Sequence, residues 1–116
     1  LLLDEPVADV DADHQETILD ALDRRNEAGT TIVVSTPDAD LVPRIADRVV
    51  LLDRTGSIVR DGQVREVLTD HESLSAVGVS PPRVTEAFVR AGFPDPPLTV
   101  EEAVDRLTQV TDDVDG

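Results

Sequence analysis

The chain has 116 residues, of which 25 are acidic and 10 basic, giving a formal charge of −15. That length suits one small domain, and the charge excludes the basic footprint with which a nucleic-acid binder displaces counterions. Cysteine is absent and no apolar run approaches the roughly 18 residues that cross a bilayer, which excludes disulfides, thiolate metal sites and a spanning helix within this sequence.

Every basic residue is arginine, and aspartate outnumbers glutamate by 17 to 8. Two readings of this balance stay open. One is an ordinary acidic protein; the other is a protein suited to high salt, where screening removes self-repulsion and surface carboxylates hold hydration. Two Phe and no Trp or Tyr leave a core of Val, Leu, Ile and Ala. The first residue is Leu and already lies in an apolar run, so an internal piece of a longer protein is expected.

Leu1-Leu2-Leu3-Asp4-Glu5 is short, apolar and β-compatible, and predicts a buried strand over residues 1–5. Residues 12–28 predict a helix with Asp11 or Asp13 as N-cap, Ile18, Leu19 and Leu22 on one face, and Gly29 just past its end. Residues 30–36 predict a second strand. Strand, helix and strand at this spacing make a βαβ unit and imply parallel pairing.

After Pro37, residues 38–46 carry a short helical pattern with Leu41, Ile45 and Ala46 inward, unless Pro43 delays or kinks it. Residues 48–53 and 57–60 flank Arg54-Thr55-Gly56 as a hairpin with glycine in its turn. Gly62 leads into a helix through Val64, Val67 and Leu68. Beyond Leu74 the prolines at 81, 82, 94, 96 and 97 punctuate the chain, with a helix at about 83–91. Thr99-Val100-Glu101-Glu102 is a capping box opening a last helix with Val104 and Leu107, and Thr111 to Gly116 form an acidic end expected to fray.

Asp4 and Glu5 close an apolar strand as adjacent carboxylates. Phosphoryl transfer needs charge neutralisation and a positioned nucleophile, and two carboxylates at a strand end can divide those tasks. A bare Asp-Glu pair after apolar residues is common and by itself reads better as a solvated strand end, and Asp11 is compatible with a plain helix cap. His14 and His71 read as surface histidines.

Leu1-Leu2-Leu3-Asp4-Glu5-Pro6 followed by Asp11, a helix and Thr31-Ile32-Val33-Val34-Ser35-Thr36 resembles the second half of an ABC-transporter ATPase entered at its Walker B strand. Asp40-Leu41-Val42-Pro43-Arg44-Ile45-Ala46-Asp47-Arg48-Val49 is similar to the corresponding run of energy-coupling-factor ATPases, the cobalt, nickel and vitamin-type importers. Gly56-Ser57-Ile58-Val59, Asp61-Gly62 and Glu66-Val67-Leu68 fit the closing hairpin and helix of ABC ATPases. Pro81-Pro82-Arg83-Val84-Thr85 and Pro97-Leu98-Thr99-Val100-Glu101-Glu102 resemble the C-terminal extension of the cobalt-type members. The resemblance covers about residues 1–110.

The resemblance implies an α/β fold: the C-terminal half of a P-loop NTPase parallel-sheet core, a closing β-hairpin and a small helical extension. Residues 1–70 would be the partial ATPase core and 71–116 the extension. It assigns ATP and Mg²⁺ as cofactors of the complete family protein. Asp4 would hold Mg²⁺ through a water, Glu5 would polarise the attacking water, and Asp11 would lie in the D-loop at the nucleotide interface. Expected partners are a second ATP-binding subunit and a transmembrane coupling subunit, with the chain peripheral on the cytoplasmic face of the membrane.

The departures are as informative. Val7, Asp9, Val10 and Ala12 differ from the usual D-loop. Ser35-Thr36-Pro37-Asp38 replaces the family's Ser-Thr-His-Asp, and proline offers no side-chain donor or acceptor at that degenerate switch position. No lysine exists in the sequence, so a Gly-x-x-x-x-Gly-Lys-[Ser/Thr] phosphate loop is impossible in it, and Leu74-Ser75-Ala76 does not replace a Leu-Ser-Gly-Gly signature. The chain by itself is therefore expected to be inactive. The reading is a fragment of an ATP-hydrolysing subunit of an energy-coupling-factor importer for cobalt or nickel. Its alternatives are a non-catalytic regulatory or degenerate protein derived from such an ATPase, and a carboxylate-based Mg²⁺ hydrolase of another fold.

Overall fold

Leu2–Asp4 forms β1 and Val33–Ser35 forms β2, paired in parallel with Leu2 opposite Val33, Leu3 opposite Val34 and Asp4 opposite Ser35. The connection is α1, Ala12–Glu27. This computed structural model describes the backbone of residues 1–115 and the side chains of residues 1–110. It shows an α/β arrangement in two compact units, Leu1–Pro37 and Asp38–Gly116.

In the first unit α1 is bounded by local chemistry. The Asp11 side chain accepts from the His14 amide at 3.0 Å, satisfying one of the orphan donors of the first turn. At the other end Gly29 N donates to Asn26 O (3.0 Å) and Thr30 N to Arg25 O (3.0 Å), the paired bonds of a Schellman stop. That stop needs a left-handed residue, and Gly29 supplies it with φ +104°. Leu19 is buried, with Ile18 and Leu22 half-buried beside it on the predicted face.

The expected burial of the first strand is not found. Leu2 is 78% exposed and Val33 57%, while Leu3 and Val34 are half-buried. Side chains alternate across a strand, and one crossover helix cannot cover both faces of a two-stranded sheet.

The second unit begins with α2, Val42–Ile45, which starts late so that Pro43 falls in its first turn, where a missing N–H costs nothing. Next come β3, Arg48–Leu52, and β4, Ile58–Gln63, antiparallel with Val50 opposite Asp61 and Leu51 opposite Arg60, and with an irregularity after Leu51. In the turn, Asp53 Oδ1 accepts from the Thr55 and Ser57 amides at 2.9 and 3.0 Å, and Gly56 takes φ +84°. Gly62 lies within β4, which passes directly into α3, Val64–Leu68.

A short helix not anticipated from sequence, α4 (His71–Ala76), is capped by Asp70, which accepts from Ser73 N at 3.1 Å. Then follow α5, Arg83–Arg90, and α6, Val100–Asp115. Half of the expected capping box forms: Thr99 Oγ1 accepts from Glu102 N at 3.1 Å. The Glu102 carboxylate reaches Leu98 N (3.3 Å) instead of the Thr99 amide, because it also receives Arg65 at 2.8 Å. The fraying expected over 111–116 falls on side chains, and at Gly116 on backbone, outside the described residues.

Two clusters hold this unit. Leu51, Val67 and Leu74 pack with Val49, Val77 and Val79, and Ala39, Leu68 and Leu98 pack with Val42, Val64 and Val79. The aliphatic composition makes this core, and the two aromatics pair with each other, Phe88 and Phe93, at a 4.8 Å centroid separation.

Candidate functional site

The carboxylates at the end of β1 are placed by the parallel ladder. Asp4 is the last residue of β1 and lies directly opposite Ser35, the last of β2. Ser35 Oγ donates to Asp4 Oδ1, and the Ser35 carbonyl accepts from the Glu5 amide at 2.8 Å. Both carboxylates are exposed.

The chain leaves the strand abruptly. Glu5 has φ +46° and Asp9 φ +59°, the left-handed region that side-chain-bearing residues seldom occupy. Between them, Ala8 N donates to Glu5 O at 3.2 Å and Val10 N to Val7 O at 3.3 Å, so residues 5–10 form two tight turns. Left-handed non-glycine residues cluster where function constrains a backbone, and one of these two is the expected water-polarising glutamate.

Asp11 sits at the entrance of α1 rather than on the strand end. Its carboxylate receives the His14 amide, and His14 Nδ1 lies 2.8 Å from Oδ2. The His14 amide, then its ring, hold the Asp11 carboxyl below its ordinary value. The capping role is thus realised, and His14 is an exposed residue bonded to that cap. Pro37 is exposed two residues beyond Ser35. His71 is exposed at the start of α4.

Among the described residues no group of three or more His, Cys, Asp or Glu could hold a metal ion. A magnesium ion needs less than that from protein: one or two carboxylates, with water and phosphate oxygens completing its shell. The Asp4 carboxylate, exposed at a strand end, fits such a donor set. The phosphates that would share the ion find no lysine and no glycine-rich loop in this sequence.

Asp4, Glu5, Asp11 and Pro37 stand out in the sequence, whereas Ser35 has no role of its own there. The signal was present in the strand ends: in a parallel pair that finishes in register, the last residue of each strand faces the other. No helix among the described residues is long and apolar enough to cross a membrane.

No protein-family model matches the chain. The chain is similar to the cobalt import ATP-binding protein of Rhodobacter capsulatus, 42% identical over 86 residues, or 74% of this chain and 30% of that protein. It is also similar to energy-coupling factor transporter ATP-binding proteins. One, from Methanosphaera stadtmanae, is 32% identical over 118 residues, covering 92% of this chain and 41% of that protein. Another, from Methanococcus maripaludis, is 38% identical over 84 residues, covering 72% and 30%. The chain thus spans well under half the length of the curated relatives it matches.

Proposed function

The chain belongs to the ATP-binding proteins of ABC transporters, matching their C-terminal part, and we propose that it carries the water-activating edge of an ATP site in an energy-coupling-factor importer. The parallel pair β1–β2, ending together on Asp4, Glu5 and Ser35, carries this reading. It corresponds to part of the parallel-sheet core of a P-loop NTPase, with the acids at its carboxyl edge and β3–β4 as the closing hairpin. Residues 1–70 act as ATPase core and 71–116 as an extension, a functional division that cuts across the second compact unit.

In this proposal Asp4 holds Mg²⁺ through a water, Glu5 polarises the attacking water, and Asp11, while capping α1, faces the nucleotide interface. The ion, when bound with ATP, supplies neutralisation of the phosphate charge. Residues outside this sequence supply the phosphate cradle. The transported ion is cobalt or nickel, and the name of the Rhodobacter capsulatus relative favours cobalt. Its partners are a second ATP-binding subunit and a transmembrane coupling subunit, with this chain peripheral on the cytoplasmic face of the membrane.

Pro37 favours one second reading, a non-catalytic regulatory descendant of such an ATPase, because a proline cannot orient water or touch a phosphate through its side chain. The test is Mg²⁺-dependent phosphate release after mixing the 116-residue chain with an ATP-binding subunit of an energy-coupling-factor importer. The expected outcome is slow turnover that Glu5→Gln abolishes and Pro37→His raises by at least about tenfold. Turnover indifferent to Glu5→Gln would refute the proposed role, and no gain in any variant would assign the chain to the regulatory reading.

A further inference from the structure

We infer that Ser35 is the positioning residue of the acidic pair, aiming the Asp4 carboxylate at a divalent cation and anchoring Glu5 beside it. The inference rests on the reading of Asp4 as the metal-side carboxylate. Ser35 touches both acids by different groups: its hydroxyl donates to Asp4 Oδ1 and its carbonyl accepts the Glu5 amide at 2.8 Å. The parallel register, which sets Asp4 opposite Ser35, makes both contacts possible from one residue.

The need for such a residue follows from exposure. The terminal torsion of an aspartate is broad and nearly twofold, so its rotamer does not fix where the oxygens point. Asp4 is exposed, so burial does not fix them. A hydroxyl donated across the ladder selects one orientation, and a carboxylate has about four acceptor sites, so one such bond leaves others for water or an ion. The Glu5 amide bond anchors the backbone at the point where φ turns to +46°. Ser35 thus acts through Asp4 and Glu5 and is not itself a metal ligand.

The experiment separates hydroxyl from shape. Thr and Val have nearly the same form and both suit a strand, but Thr alone keeps the donor. Backbone amide spectra of the 116-residue chain are recorded during titration with Mn²⁺ for wild type, Ser35→Thr, Ser35→Val, Ser35→Ala and Asp4→Asn. Paramagnetic broadening is expected to centre on the Asp4, Glu5 and Ser35 amides and to vanish in Asp4→Asn. Ser35→Thr is expected to match wild type within about twofold, while Ser35→Val and Ser35→Ala need roughly 10–100-fold more Mn²⁺, the usual cost of losing a group that orients a metal ligand. Equal affinities in Ser35→Thr and Ser35→Val, with binding still lost in Asp4→Asn, would overturn the role of Ser35 and leave that of Asp4 standing. Wild-type broadening that does not centre on Asp4, or that survives Asp4→Asn, would overturn the metal reading and this inference with it.

Discussion

Leu51 and Leu52 are adjacent, chemically identical and both in β3, yet the fold treats them oppositely. Leu51 is 7% exposed and packs in the cluster with Val67 and Leu74, whereas Leu52 is 52% exposed. Truncation to Ala removes three carbons, or about 2.4 kcal/mol of transfer free energy when the side chain is fully buried. At Leu51 the vacated volume adds a cavity term, giving a cost in the range of about 2–5 kcal/mol. At Leu52 about half the area is already in water and no enclosed cavity forms, so the cost is about 1.2 kcal/mol. With an m-value of roughly 1.5 kcal/mol/M in urea, the midpoint falls by about 1.3–3.3 M for Leu51→Ala and by about 0.8 M for Leu52→Ala. Urea titration followed by circular dichroism in molar KCl reads both. Equal midpoints, or a larger loss at Leu52, would refute the assignment of Leu51 to the core face.

Three other outcomes follow from the same structure. Thr85 is fully buried and its hydroxyl donates to the Pro97 carbonyl at 2.6 Å, so Thr85→Val should cost about 1–3 kcal/mol in urea unfolding while Thr85→Ser retains the bond; a neutral Thr85→Val would show that bond to be unimportant. The Asp53, Asp61 and Asp70 carboxyls lie below the ordinary value of 3.8, held there first by the Thr55 hydroxyl, the Arg48 guanidinium and the Ser73 hydroxyl respectively. The unfolded chain therefore binds these protons more readily, so their contribution is complete above pH 3.8 and is lost as pH falls through the folded values; carboxyl titration by NMR with midpoints at or above 3.8 would contradict it. Self-repulsion at a charge of −15 is screened over about 10 Å at 0.1 M salt but about 3 Å at 1 M. The thermal midpoint should rise by roughly 4 °C for each kcal/mol recovered in molar KCl, and a salt-independent melt would remove the high-salt reading.

Much of the chain was legible without coordinates because the deciding residues lie within a few positions of one another. Asp11 and Gly29 bound α1 through bonds of three to five residues' reach, and Asp53 with Gly56 makes the hairpin turn. The acidic pair was visible because an apolar run stops at Asp4, and the departure at Pro37 because a proline lacks the needed atoms. What tertiary structure alone decided are the pairings across long stretches of chain: Ser35 with Asp4, 31 residues apart, and Arg65 with Glu102, 37 apart, which diverted half of the capping box. It also decided burial, leaving Leu2 in solvent and sending Leu51 inward while Leu52 stays out. Local hydrogen bonds and backbone torsions are written in neighbouring residues, whereas register and burial depend on which distant surface comes to lie opposite, and residue spacing does not specify that surface.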